Sequence, residues 1–589
     1  MSDNVKYLFE LPARAKKLYA KEDQMAQKVN GVWRKYSSAE VDDISTKVAY
    51  GFHALGLEAG DRIAIAAPNS PQWQFINLGA SKLCLVNTPL YDNITAEDYK
   101  FILNDCEAKL MVVGNREIYD KIESIRADVP SLKHLFSIEE LDCCRNWKEI
   151  LKFGREAPHP EVLAKNQAAA DPNALYTIIY TSGTTGKPKG VMLSHNNILS
   201  QLRAIEPLLP VDKNDTALSF LPLCHSFERS IEYFYLYRGI SIYYAESMDT
   251  IGDNLKEVCP TIMPTVPRLL EKVFDKIMAK GDEQEGIKRK LFFWAVDLGL
   301  NYELSGKSFG YKFKLAIANA IIFSKWRAAL GGKMKFIVSG AAALQPRLAR
   351  IFTAAKIPIL EGYGLSETSP VISVNHYDPS GRMFGSVGKV IEKVEVKIAE
   401  DGEILCKGPN VFLGYYNRPE ETAKVIDADG WFHTGDIGEM VDGKFLKITD
   451  RKKEIFKTSG GKYIAPQVLE NAFKESEFID QSIVVGEGEK HVSLMISPNF
   501  EKLSLWCEEK GLSNKTNQEM IDHPEVLEKF SEEVEIRNAR FAKYEQVKKI
   551  KLLPVEWSVE GGELTPTLKL KRRVIMDKYS SEYLELYPE

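Results

Sequence analysis

Paired cysteines are missing from this 589-residue chain. Its eight, at positions 84, 106, 143, 144, 224, 259, 406 and 507, form no CxxC pair and no metal-ligand spacing. That excludes a disulfide framework and a thiolate metal site of ordinary spacing, and the thiols read as reduced ones of a cytoplasmic protein. No sign of charge dominates: 77 Lys and Arg stand against 82 Asp and Glu, a net −5. The global basic field that drives nucleic-acid binding is therefore absent. No apolar run approaches 18 residues, and the first residues show no charged-then-apolar leader pattern, so neither a membrane span nor a signal peptide is expected. Internal repeats and low-complexity tracts are lacking too.

What is there is ordinary for a globular enzyme: 44% hydrophobic and 27% charged residues, in a chain long enough for two to four domains or subdomains. Strand-like runs alternate with helical patterns from about residue 33: a helix capped by Ser38, strand Arg62–Ala67, a strand over Leu83–Thr88, helix 95–105 and strand Leu110–Val113. Such alternation predicts an α/β layer structure. Residues 268–331 read as helix-rich. Short strands punctuated by Gly, Asn-Arg-Pro and Asp-Gly between 384 and 449 predict a small β-structure. Two stretches are candidates for membrane contact, the aromatic run Glu232–Tyr244 and the basic-ended helix Lys312–Trp326. Core packing is the expectation for both, because interfacial helices carry more Lys and Arg on the polar face.

The densest chemistry lies in Tyr180-Thr-Ser-Gly-Thr-Thr-Gly-Lys-Pro-Lys-Gly190. An apolar strand precedes it, and a second strand follows and leads to a helix capped by Ser194. Three glycines, four hydroxyl residues and two lysines in one short loop suit a phosphate. The P-loop template fails at both ends: Thr181 stands where its first glycine belongs and Pro188 where its metal-binding hydroxyl belongs. Further along, Ser339-Gly-Ala-Ala-Ala-Leu344 and Glu361-Gly-Tyr-Gly-Leu-Ser-Glu-Thr-Ser369 each follow a short strand. The second offers an aromatic ring, hydroxyls and a carboxylate suited to Mg²⁺. Asp436 follows a tight turn and suits ribose hydroxyls. Asp450–Ile464 packs five cations around Gly460-Gly461, and Leu564–Arg573 carries a basic cluster near the C-terminus.

These stretches, in this order and spacing, resemble the adenylate-forming superfamily over residues from about 30 to 575. Within it, Leu221-Pro-Leu-Cys-His-Ser-Phe-Glu-Arg229, Pro264–Lys272 and Arg540–Val547 resemble the long-chain acyl-CoA synthetases. The resemblance implies a large N-terminal domain, 1–450, of layered α/β subdomains with a small β-barrel-like subdomain. A smaller, mobile α+β domain, 451–589, would follow, with Asp450 as hinge. It implies two half-reactions. A fatty carboxylate attacks the α-phosphate of ATP and releases pyrophosphate; the thiol of coenzyme A then displaces AMP.

Residue by residue, the resemblance gives Thr181, Ser182, Gly183, Thr184, Thr185, Gly186 and Lys187 to the β- and γ-phosphates. Thr181 and Glu367 stand near Mg²⁺. Gly340, Glu361, Gly362 and Tyr363 frame the adenine, Ser366 reaches the α-phosphate, and Asp436 and Arg451 hold the ribose. Lys453, Lys457 and Tyr463 match nucleotide-contacting positions, and Gly460 and Gly461 line the thiol's route in the second step. Lys569 bridges carboxylate and α-phosphate, although Lys571 competes for that role because Leu568 replaces the usual glycine. His225 sits beside the acyl group, or else is a histidine satisfied in the core. Walls for the acyl tunnel are expected from 230–330. A long acyl substrate partitions into membranes, so a peripheral contact with one is compatible with a cytoplasmic protein. Two alternatives stand beside this reading: a fatty acyl-AMP ligase loading a carrier protein, and a non-catalytic fatty-acid- or nucleotide-binding relative.

Overall fold

The structure is a computed structural model that describes residues 5–181, 188–512, 516–565 and 568–588. Two large sheets dominate the first 450 residues. One has nine strands, with Met25–Val29, Ser241–Tyr244, Thr216–Ser219, Ile262–Thr265, Phe336–Ser339 and Ile359–Gly364 running parallel and antiparallel strands at both edges. The other has eight, built on the parallel strands Val86–Leu90, Arg62–Ala66, Leu110–Val113 and His134–Ser137. Their short apolar runs are buried on both faces, as parallel strands require.

Helices Pro71–Leu83 and Ser226–Arg238 fill the layer between the sheets and are buried along nearly their whole length. The second touches both. Arg229, fully buried, donates to Thr177 Oγ1 of the eight-stranded sheet at 2.8 Å. One turn on, Glu232 accepts from Tyr244 and Ser219 of the nine-stranded sheet at 2.9 and 2.8 Å. A buried polar network of this kind stabilises only when its members are satisfied together, so it fixes the helix's register between the layers.

Residues 395–451 form a four-stranded antiparallel sheet, the small β-structure expected from the turn residues. Beyond Arg451 comes a three-stranded sheet, Ile479–Val485, Val492–Pro498 and Val547–Leu552. Leu469, Phe473, Leu503 and Phe530 cover it in one apolar cluster, and Trp557, Ile575 and Tyr579 in a second. The mixed parallel and antiparallel pairing with helices is the α+β layout expected for this region.

Three expectations need correction. The helix at 38–54 is capped by Ser37, not Ser38: Ser37 Oγ accepts from Glu40 N at 3.2 Å, and the Glu40 carboxylate returns to Ser37 N at 2.7 Å. The glutamate three residues on selects the cap. Leu83–Thr88 is not one strand, because helix Pro71–Leu83 runs to its start, Cys84 closes that helix in the left-handed region at φ +63°, and the strand begins only at Val86. The aromatic run around 232–244 is core, as expected. The helix containing Lys312–Trp326, by contrast, buries one face alone.

Candidate active site

Between the two large sheets, the four-stranded sheet and the C-terminal region lies a cavity of about 2040 Å³. Parallel strands deliver ligand-binding loops at their carboxyl ends. Here Phe336–Ser339 delivers Gly340, and Ile359–Gly364 delivers Glu361, Gly362, Tyr363, Ser366 and Glu367, all on the cavity wall. Gly340 lies against Phe227, whose ring would stand 3.2 Å from an added Cβ, so the backbone closes tightly over this part of the wall. Burial pushes the Glu361 carboxyl up to about 8, so it is protonated at neutral pH and can donate a hydrogen bond.

Asp436 is held from two sides. Tyr363 Oη donates to its Oδ2 at 2.7 Å, and Arg451 Nε lies 3.3 Å from its Oδ1. The adjacent strands Phe432–Val441 and Phe445–Arg451 place Asp436 directly opposite Arg451. Lys569 stands beside the bridge that pairs Leu564 with Leu570, its backbone N–H donating to Thr565 Oγ1 at 3.0 Å. Burial, with the Arg451 charge beside it, pushes the Lys569 ammonium down to about 8, while Asp436, Glu367 and Glu454 pull it back up. His225 lies on the same wall, and burial together with the Lys569 charge pushes its imidazole down to about 3. Its Nδ1 accepts from Phe227 N at 3.1 Å at the head of helix Ser226–Arg238. The single proton of this neutral ring therefore belongs on Nε2, which makes it a hydrogen-bond donor rather than a base. The histidine serves as a helix cap and as a cavity wall at once.

Thr181 ends strand Leu175–Thr181 and faces the cavity; Ser182, Gly183, Thr184, Thr185, Gly186 and Lys187 lie outside the described residues. Lys189, which the loop's composition presents as a phosphate cation, pairs instead with Glu421 at 2.6 Å and sits over the Tyr415 ring. Tyr415 Oη also donates to Glu367 Oε1 at 2.8 Å. Sequence reasoning missed Tyr415 and Glu421. Their only signal was a Gly-Tyr-Tyr beside an Asn-Arg-Pro turn, which reads as strand and loop. The donor set suits magnesium, which takes one or two protein oxygens and fills its octahedron with water and phosphate: Glu367 offers its second carboxylate oxygen and Thr181 a hydroxyl. Among the described residues no cluster of three His, Cys, Asp or Glu competes for a metal.

Lys453 joins the cavity wall. Lys457, Gly460, Gly461 and Tyr463 do not: they lie on a separate hairpin, where Lys457 stacks over Tyr463 at 4.5 Å and Tyr463 is 64% exposed. The apolar part of the wall comes from Leu202, Ile205, Leu209, Phe234, Phe336 and Val374. Of the stretch 230–330 expected to wall the tunnel, residues 230–271 contribute, Phe234 among them, while no described lining residue falls between 272 and 335. Strand ends and the helices beside them supply the rest, since they already converge there.

Fold and site together define an enzyme that handles a nucleotide between a large domain and a small one. The chain belongs to the AMP-binding enzyme family: that family's model matches residues 16–416, and the model of the AMP-binding enzyme C-terminal domain matches 453–589. Among its relatives, long-chain-fatty-acid–CoA ligase FadD15 of Mycobacterium bovis is 30% identical over 95% of this chain and 93% of its own. Human long-chain-fatty-acid–CoA ligase 1 is 32% identical over 89% and 78%. Similar solved structures include a fatty acyl CoA synthetase of Mycobacterium tuberculosis (TM-score 0.64, 21% identity, covering 98% of this chain and 99% of that one). ATP-bound MatB of Rhodopseudomonas palustris has a TM-score of 0.69 at 22% identity, over 98% and 99%. No described helix is long and apolar enough to cross a membrane.

Proposed function

We propose that the protein is an ATP- and Mg²⁺-dependent long-chain fatty-acid–CoA ligase, dividing at Asp450 into a substrate-binding domain and a mobile one. The observation that carries this reading is the meeting of Lys569, Arg451, Asp436 and Glu367 on one cavity whose wall also carries apolar side chains such as Leu202, Ile205 and Phe234. A carboxylate is a poor electrophile, because its charge repels a thiolate and oxide leaves badly. Attack of the fatty carboxylate on the α-phosphorus breaks the bond to pyrophosphate and leaves an acyl-adenylate. The thiolate of coenzyme A then attacks the acyl carbon and AMP departs. Glu367 and Thr181 would hold Mg²⁺ together with phosphate oxygens, and the ion would neutralise phosphate charge.

The rest belongs to this chain's side chains. Lys569 draws two anions together, and Asp436 with Arg451 fixes the ribose. Tyr363 and Gly340 sandwich the base, and the neutral Nε2–H of His225 donates to an oxygen at the acyl end. Lys569 lies in the nucleotide site while the Gly460-Gly461 hairpin lies outside it, the arrangement that suits the first half-reaction; a swing about Asp450 would exchange them. Lys457 and Tyr463, which share that hairpin, go with the second step. The long acyl chain also brings a peripheral membrane contact into this reading.

The test separates the half-reactions. Lys569→Ala should lower palmitate-dependent pyrophosphate release at least about a hundredfold yet still convert supplied palmitoyl-adenylate to the thioester. Equal loss of both would remove Lys569 from its role. Pyrophosphate release by the parent without thioester would assign the acyl-AMP ligase instead.

A further inference from the structure

Most large apolar side chains exposed on this protein are scattered singly, which is normal. The helical insert is different. Ile287 (77% exposed) and Leu291 open helix Gly286–Leu300. Phe309 (84%), Phe313 (62%) and Ile317 follow at four-residue steps on helix Phe309–Ala318, and Ile321 continues the series in the π-helical turn Asn319–Phe323. Steps of four keep these side chains on one face. Helix Phe309–Ala318 and the π-helical turn pack on the C-terminal end of helix Gly286–Leu300: Tyr311 Oη donates to Leu298 O at 2.6 Å, and the Phe323 ring lies against Gly299. Phe309, Phe313, Ile317 and Ile321 therefore form one apolar stripe.

Charge completes the picture. Residues 304–330, which carry the stripe, hold five Lys and Arg (307, 312, 314, 325, 327) and no Asp or Glu, in a chain whose net charge is −5. At 100° per residue, Lys312 and Lys314 fall on opposite flanks of the Phe309–Ile317 stripe, where their stems can lie along apolar surface with the ammonium groups at its edge.

We infer that this face docks on an anionic membrane surface, Phe309, Phe313, Ile317 and Ile321 entering the boundary between headgroups and chains and the lysines meeting lipid phosphates. An apolar stripe flanked by cations is the pattern of a helix lying in the interface plane. A second copy of the chain is disfavoured as occupant, since it would set two strongly basic inserts against each other. The insert also touches a segment that reaches the cavity: Tyr302 packs on Phe384 at 6.2 Å, and the following Gly385 and Ser386 line the cavity. Docking would hold that wall close to the lipid from which a long-chain acid partitions. The inference rests on the proposed activity only for this purpose, because the binding needs no substrate.

The experiment floats the full-length protein with phosphatidylcholine vesicles, plain or containing about 30% phosphatidylglycerol. The parent should partition onto the anionic vesicles. Phe309→Asp with Phe313→Asp should lower that partition at least about tenfold, and Lys312→Gln with Lys314→Gln about fivefold or more, on the anionic vesicles only. ATP-dependent activation of decanoate, soluble without membranes, should stay at the parental rate in both variants. Parental binding by the phenylalanine variant overturns the inference. So does a parent that ignores anionic vesicles, or a micromolar dimer that the phenylalanine substitutions dissolve while vesicle binding persists. If the phenylalanine variant also loses decanoate activation, the lysine variant decides: unchanged preference for anionic vesicles overturns the inference. Absence of decanoate activation in the parent would count against the ligase reading and leave the vesicle result standing.

Discussion

Lys569 carries the most consequential charge of the site, and its surroundings make that charge titratable. Burial and the Arg451 guanidinium bring its ammonium down to about 8, within reach of ordinary assay pH. The proposed bridging role needs the protonated form, so adenylation should fall as pH rises through the alkaline limb, while thioester formation from supplied acyl-adenylate shows no such limb. Lys569→Arg should move the limb up by more than about one pH unit, since a guanidinium stays charged; an unmoved limb would assign the titration to another group. The residue before Lys569 is a departure whose strain only the backbone reveals. Leu568 sits in the left-handed region at φ +60°, and Ala341 at φ +71° on the cavity wall. Glycine suits both conformations at little cost, so Leu568, where the resemblance places glycine, stands against a local backbone preference. Residue chemistry was legible where a type is rare and its loop short, as with Asp436, Tyr363 and Glu367. Partners such as Tyr415 were not, because a phenol beside a turn has no linear signature until the fold sets it against Glu367.

The elements that carry the two halves of the site meet at a second contact, on the wall of the same cavity. Helix Pro267–Asp282 begins with Arg268, which bonds Asp480 of strand Ile479–Val485. Beside it, Gln345 Nε2 reaches Glu271 Oε1 at 3.0 Å and Lys474 O at 3.4 Å. Arg268 and Asp480 are both largely shielded from water, at 14% side-chain exposure each, so this pair is worth more than a surface ion pair. A swing of the C-terminal domain about Asp450 would have to break it. Arg268→Gln should therefore weaken the arrangement with Lys569 in the site: adenylation falls about tenfold, while thioester formation from supplied acyl-adenylate holds or rises. A matching fall in both half-reactions would make Arg268 a plain stability residue. The alternation of strands and helices was readable because apolar β-branched runs have a period and a length. The pairing of Arg268 with Asp480 was not, since their partners lie more than two hundred positions apart and only the folded domains bring them together. The same limit left the tunnel walls half-read: residues 230–271 of the expected stretch contribute, and the rest of the apolar wall comes from distant Leu202, Ile205, Leu209, Phe336 and Val374.

Across the whole molecule, burial has raised several carboxyl groups: Asp275 to about 6, Glu232 and Asp450 to about 7, and Glu361 to about 8. In the unfolded chain such groups release their protons near pH 4. From there up to its folded value each keeps a proton in the native state that the unfolded chain has lost, so its stabilising contribution declines as pH rises through that window. His195 and His225, both pushed by burial to about 3, act the other way below about pH 6.5, where only the unfolded chain protonates them. Lys569 acts only above about 8, where the folded lysine is neutral and the unfolded one still charged, and it restores stability there. Between about 6.5 and 8 the raised carboxyls are unopposed by these groups, and the melting temperature should fall across that interval. Glu361→Gln isolates one contributor, since an amide mimics the protonated acid without titrating. The variant's melting temperature relative to the parent should climb from about pH 5 to about pH 8 and then level off. A difference that stays constant over the range would show that Glu361 keeps an ordinary carboxylate in the fold, and with it would go the neutral hydrogen-bond donor proposed for the adenine wall.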